Sequence, residues 1–167
     1  MNTLLEGTCR MPYFTDLRLV FEAICGRQRE FNWLITDLDY GWLNPEENEP
    51  PPFAGPGPHW RTGEELTSLI EQYELQFVWA VLSGFQPGTP LDLEHLTVIP
   101  GADGNPGFWV AHPQIQHPLA EVEIVCWDAT STLLLCRDRS IGVSFRQFLP
   151  EAVDLDEYNQ RRIARRK

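Results

Sequence analysis

Two carboxylates spaced two apart close an apolar run, Leu34-Ile-Thr-Asp37-Leu-Asp39, and they are the residues of this chain best placed to do chemistry. A carboxylate pair delivered by a strand can hold a divalent cation, move protons or meet a basic partner. Tyr40 and Trp42 follow at once, and the Pro-rich acidic stretch over residues 44–61 adds Glu46, Glu47 and Glu49 before Trp60. Tryptophan is enriched at binding hot spots, so Trp42 and Trp60 bracketing these carboxylates suggest a contact surface. The expected partner-binding set is therefore Asp37, Asp39, Tyr40, Trp42, Glu46, Glu47, Glu49 and Trp60. Trp33 and Trp79 lie in apolar strands and are expected in the core.

The apolar strand ending in Asp-x-Asp resembles the first motif of haloacid-dehalogenase-like phosphohydrolases. That resemblance implies Asp37 as a nucleophile forming an aspartyl phosphate and Asp39 as general acid/base, sharing a magnesium ion with a later carboxylate. It further implies Ser83, in Val81-Leu-Ser-Gly84, as the phosphate holder and Asp128, in Val125-Cys-Trp-Asp128, as that later carboxylate. The pattern departs from the family in several places. The family needs a lysine beside the phosphate, and the only lysine here is Lys167. Gly41-Trp42 stands where a small hydroxyl or β-branched residue is usual, a helix is expected before the motif strand, and the end motif lacks its second aspartate. Binding is accordingly the main expectation, with no cofactor and no metal, and the magnesium-dependent phosphohydrolase is the alternative.

Other catalytic patterns are absent. There is no Gly-x-Ser-x-Gly elbow, and Cys126 falls within a strand, where thiols are usually inert. His112 and His117 stand five apart among prolines, without a helix to align them on one metal. Cys9, Cys25, Cys126 and Cys136 show no CxxC spacing. Cys126 and Cys136 are expected to flank a tight hairpin around Asp128–Ser131. A two- or four-residue loop would put them on opposite faces and a three-residue loop would offset them along the ladder, too far apart for a disulfide in either case. Reduced thiols, and a start without a basic and then apolar leader, give the expectation of a cytoplasmic protein. No apolar run approaches the roughly 20 residues of a membrane span.

Charge narrows the partner. Of 13 cations, five lie in the last seven residues, leaving 8 against all 24 carboxylates over residues 1–160, a net of −16. Such a surface repels nucleic acid phosphates and speeds encounter with basic proteins. The segments Glu121–Leu135 and Phe148–Asn159 resemble a group of small uncharacterised bacterial proteins, a resemblance that implies no activity. In size and acidity the chain is similar to immunity proteins, which neutralise toxins secreted by competing bacteria, and that likeness implies a basic toxin domain as partner.

These residues must be positioned by a single globular domain over 1–160, with 44–61 as a long loop and 161–167 as a frayed basic tail. Thr15 or Asp16 caps a helix along Leu17, Val20, Phe21 and Ile24 that stops at Gly26, and Thr62-Gly-Glu-Glu65 opens a second along Leu66, Leu69 and Ile70. The unbroken apolar run Phe77–Leu82 reads as a central strand, and Glu121–Cys126 alternates as a strand with one wet face, Thr132–Cys136 returning beside it. A short helix is expected at Leu91–Leu96 and a last one from Ser140. The expected fold is α+β, a mixed and mostly antiparallel sheet packed with about three helices and long Pro/Gly-rich loops.

Overall fold

The computed structural model describes residues 2–10, 15–46, 49–53 and 57–165. Its seven strands are β1 (Asn2–Leu5), β2 (Asn32–Trp42), β3 (His59–Thr62), β4 (Leu75–Phe85), β5 (Val122–Trp127), β6 (Ser131–Cys136) and β7 (Val153–Asp154). Four helices accompany them: α1 (Leu17–Ala23), α2 (Gly63–Gln72), α3 (Arg139–Phe148) and α4 (Leu155–Ala164). The strands form one sheet in the order β3-β2-β4-β5-β6-β1-β7. Every pairing is antiparallel, so the fold is α+β as expected but the sheet is not mixed. No helix among the described residues is long and apolar enough to cross a membrane.

Local chemistry sets the helix starts. Asp16 caps α1 by accepting from the Arg18 N–H, and Gly26 turns the chain beyond it at φ 74°. Thr62 and Glu65 close a reciprocal capping box on α2. Asp138, rather than Ser140, caps α3. Asp154 caps α4, whose last turn takes up Arg161 and Arg162. The tail is therefore helical through Ala164, and Arg166 and Lys167 lie outside the described residues. The Leu91–Leu96 stretch forms bends rather than a helix, and the Pro-rich stretch yields β3 at its end.

The two sheet faces are covered differently. On one face α1, α2 and α3 bury Trp33, Ile35, Phe77, Leu82, Val122, Ile124 and Leu134. The other face carries Val81, Val125, Leu133 and Leu135, covered by Ala102 and Phe108 of the 86–120 loop and by Leu155 of α4. A third cluster joins Leu34 and Phe85 to Ala120 and the partly buried Trp60, Leu91 and Ile115. With both faces covered, β4 reads as a continuous apolar run. The alternation over Glu121–Cys126 predicted one wet face for β5, but both its faces are buried, Glu123 included. Trp33 is fully buried, its indole N–H donating to the Gln28 carbonyl at 2.8 Å, whereas Trp79 is only half-buried.

Glu123 breaks the apolar run of β5, and it is fully buried on the loop-covered face. Its carboxylate accepts from the Gln116 N–H at 3.0 Å, the His117 N–H at 3.1 Å and the Ser83 hydroxyl at 3.1 Å. Three donors replace the water lost on burial and tie the loop to the sheet. Desolvation nonetheless outweighs these bonds and pushes the Glu123 carboxyl above its ordinary value. A carboxyl raised in the folded state stabilises the fold fully below its ordinary pKa near 4.5, and that contribution is lost as pH rises through the folded value.

Two outcomes follow from this packing. The stability difference between the parent chain and Glu123→Gln, from urea melts at a series of pH values, should shift against the parent as pH rises above about 4.5. A pH-independent difference would mean that Glu123 does not titrate with a raised pKa. Gly63 opens α2 against backbone, and a methyl there would sit 2.4 Å from the Gln28 carbonyl oxygen and 2.6 Å from the Arg29 Cα. Gly63→Ala should cost about 1–3 kcal/mol in a thermal melt, because backbone cannot step aside as a flexible side chain does.

Candidate partner-binding site

The carboxylate-bearing end of β2 is shaped by two bulges. Thr36 faces Val81, the next pair is Asp39 with Trp79, and the one after is Tyr40 with Phe77. One extra residue on β2 is thus followed by one extra on β4, which bends the pair and re-aims its side chains. Asp37 sits in the first bulge at φ 51°, a left-handed conformation that aspartate tolerates better than branched residues. Its Oδ2 accepts from the Ala102 N–H at 2.6 Å and the Asp103 N–H at 2.7 Å, while the Thr36 hydroxyl donates to the Pro100 carbonyl at 2.7 Å. Asp37 is exposed, yet this carboxylate oxygen is committed to holding the 100–103 turn.

Beyond the bulge, Leu38, Tyr40 and Trp42 pack against the helix-side core. The Tyr40 ring lies 5.3 Å from Phe53, and Phe53 lies 5.2 Å from His59. These residues border a groove of about 390 Å³ together with Asp37 and Ile99, and Ile99 is 63% exposed. Burial, then the neighbouring Arg61 charge, lowers the His59 pKa and keeps the ring neutral near pH 7. Asp39, Glu46 and Glu49 are exposed, and Glu47 lies outside the described residues.

The structure does not bring the two bracketing tryptophans together. Trp60 pairs with Leu34, eight residues before Trp42 on β2, a span of roughly 25 Å at strand rise. Trp60 packs on Phe85, ring centroids 5.7 Å apart, while Trp42 is half-buried against the helix-side core. Asp37, Tyr40 and the groove thus form one surface that excludes Trp60.

Nor does the phosphohydrolase set converge. Ser83 is fully buried, bonded to Glu123 and opposite Leu34, about 10 Å along the strand from Asp37. Asp128 stands on the β5–β6 hairpin tip at φ 51°. No group of three His, Cys, Asp or Glu able to hold a metal occurs among the described residues. The hairpin has three loop residues, 128–130, so Cys126 and Cys136 lie on the same face, offset along the ladder. All four cysteines are free, and burial pushes the Cys126 and Cys136 thiols up. His117 is buried, its Nδ1 accepting from the Leu119 N–H, and burial lowers its pKa.

Sequence reasoning missed a row of half-buried aromatics on the loop-covered face. Trp79 lies 5.1 Å from Trp127, Trp127 lies 5.0 Å from Trp109, and Trp109 lies 6.4 Å from Tyr158. The Arg162 guanidinium sits over the Trp109 ring at 5.1 Å. The alternation of Glu123, Val125 and Trp127 on β5 carried the signal, because it puts Trp127 on the face opposite Val122, Ile124 and Cys126.

The two aspartates should separate cleanly in stability. Asp37→Ala loses two charge-assisted bonds and places alanine at positive φ, so it should cost about 2–3 kcal/mol. Amide exchange at Ala102 and Asp103 should accelerate with it. Asp39→Ala should stay within about 0.5 kcal/mol of the parent. Similar stability of both variants would remove the clamping role of Asp37.

Comparison with protein-family models, with curated proteins and with solved structures finds no match to this chain.

Proposed function

We propose that this chain acts by binding, as an acidic inhibitor of the immunity type that neutralises a basic protein such as a secreted bacterial toxin domain. The observation that carries this reading is the groove beside β2, with its apolar floor of Leu38, Tyr40 and Phe53 and exposed Ile99. The exposed carboxylate of Asp37 borders this groove, Asp39 stands on the same strand end beside Trp79 on the other face, and Glu46 and Glu49 follow the strand in the chain. An apolar centre with a charged rim is the usual anatomy of a protein interface. The excess of carboxylates over cations supports fast, steered association with a basic partner and disfavours nucleic acid. Exposed free thiols at Cys9 and Cys25 support a reducing compartment, in keeping with the cytoplasm. The fixed role of Asp37 and the burial of Ser83 weigh against the phosphohydrolase alternative.

Affinity capture on the immobilised chain in low salt should retain a basic protein in stoichiometric amount. Neutralising the rim as Glu46→Gln/Glu49→Gln should then slow its association several-fold at low ionic strength, the difference vanishing as salt shortens the screening length. Unchanged association in low salt would remove the rim as the electrostatic contact. Magnesium-dependent hydrolysis of an aryl phosphate that disappears in Asp37→Asn would overturn the binding reading in favour of catalysis.

A further inference from the structure

We infer that Trp79 and Trp127, with Asp39 and Asp128, form a docking site for an arginine side chain of the basic partner, an assignment that rests on the binding reading above. The cover over this sheet face reaches Val81 and Val125 and touches Trp127 through Phe108 and Trp109, ring centroids 6.0 and 5.0 Å away, yet Trp79 and Trp127 stay half-exposed. Their rings meet edge to face, at 76°, so neither lies flat against the other.

Carboxylates frame the pair. Asp39 is the direct cross-strand partner of Trp79, and side chains of paired residues project from the same face of the sheet. Asp128 follows Trp127 in the chain and is exposed at the hairpin tip. Among the described residues, neither aspartate has an ion-pair or hydrogen-bonded side-chain partner. The tip itself is held in place, since the Ala129 N–H donates to the Val78 carbonyl at 2.9 Å and the Thr130 N–H to the Trp127 carbonyl at 3.0 Å. A site so fixed loses little entropy on binding.

The molecule already displays the matching chemistry at the other end of the row, where Arg162 lies over Trp109. There the chain supplies its own cation, and at Trp79 and Trp127 it supplies aromatic rings and acids without one. A guanidinium fits that combination best, because it stacks on an indole and bonds a carboxylate through its planar fork. An ammonium lacks the fork, and a phosphate or carboxylate ligand would be repelled by Asp39 and Asp128.

The test is a titration of the isotope-labelled chain with acetylated, amidated hexa-arginine in low salt, following the six tryptophan indole N–H signals. Trp79 and Trp127 should shift most. Hexa-lysine should bind several-fold more weakly, and Asp39→Asn/Asp128→Asn should weaken hexa-arginine binding by about tenfold. Asparagine tolerates the positive φ at residue 128, so the fold should be unaffected. Glu22→Gln/Glu94→Gln removes as many charges at exposed positions outside both surfaces and should change the affinity by less than about twofold. Equal weakening by the two double variants, or indole shifts centred elsewhere, would overturn the arginine site while leaving an acidic binding protein. No binding of hexa-arginine by the parent chain would overturn both.

Discussion

The fold depends on how an irregular Pro/Gly-rich loop is held against a sheet that is apolar on both faces. Helices α1, α2 and α3 cover one face with backbone that satisfies itself. The 86–120 loop covering the other has no such internal ladder, and its polar backbone groups need partners from outside. Side-chain donors serve its carbonyls, Thr36 that of Pro100 and Asn159 those of Phe108 and Val110, and two carboxylates serve its N–H groups. Glu123 takes the Gln116 and His117 N–H groups from within the sheet, and Asp37 takes those of Ala102 and Asp103 from a bulge at its margin. Gln116 adds a link, its side-chain oxygen accepting from the Gly101 N–H at 3.0 Å and the Asn105 side chain at 3.0 Å. Together these bonds hold the loop over the apolar face of β4, β5 and β6.

That arrangement divides the acidic residues by role. Asp37 and Glu123 are structural acceptors, while Asp39, Glu46, Glu49 and Asp128 are exposed and uncommitted among the described residues. It also fixes where the surface stays open. The pinned loop reaches Trp127 through Phe108 and Trp109 but leaves it and Trp79 half-exposed, so the hairpin end of the sheet presents aromatic rings beside free carboxylates. The groove at Tyr40 and Phe53 opens beside the same stretch of β2. The bulges that set Asp37 on the turn also leave Leu38 and Tyr40 on the groove side and Asp39 level with Trp79, so one local distortion organises both surfaces.

Much of this was legible in residue order. Caps and apolar periodicity marked α1, α2 and α3, and the apolar run of β4 stood out because a central strand buries both faces. Strand β5 was visible through its alternation, which wrongly implied a wet face because the burial of Glu123 depends on donors distant in sequence. The strands β1, β3 and β7 are two to four residues long and gain their stability from partners distant in sequence, so no local pattern announces them. Helix α4 did carry a local cue, the Asp154-x-x-Glu157 spacing, but its mostly polar surface hid it. At the site, Asp37 was visible and its role was not, because a carboxylate at positive φ in a bulge looks in sequence like any other aspartate. The same bulge defeated the expectation of a buried Trp79: an unbroken apolar run does not say which of its residues falls where the cover ends.

Residue-resolved amide hydrogen exchange on Glu123→Ala, beside the parent chain, tests the pinning most directly. Gly101, Ala102, Gln116 and His117 should lose most of their protection, while the amides of α1, α2 and α3 keep theirs, because only the loop-covered face depends on that carboxylate. Loss of protection spread evenly over both faces, or no loss in the loop, would contradict it.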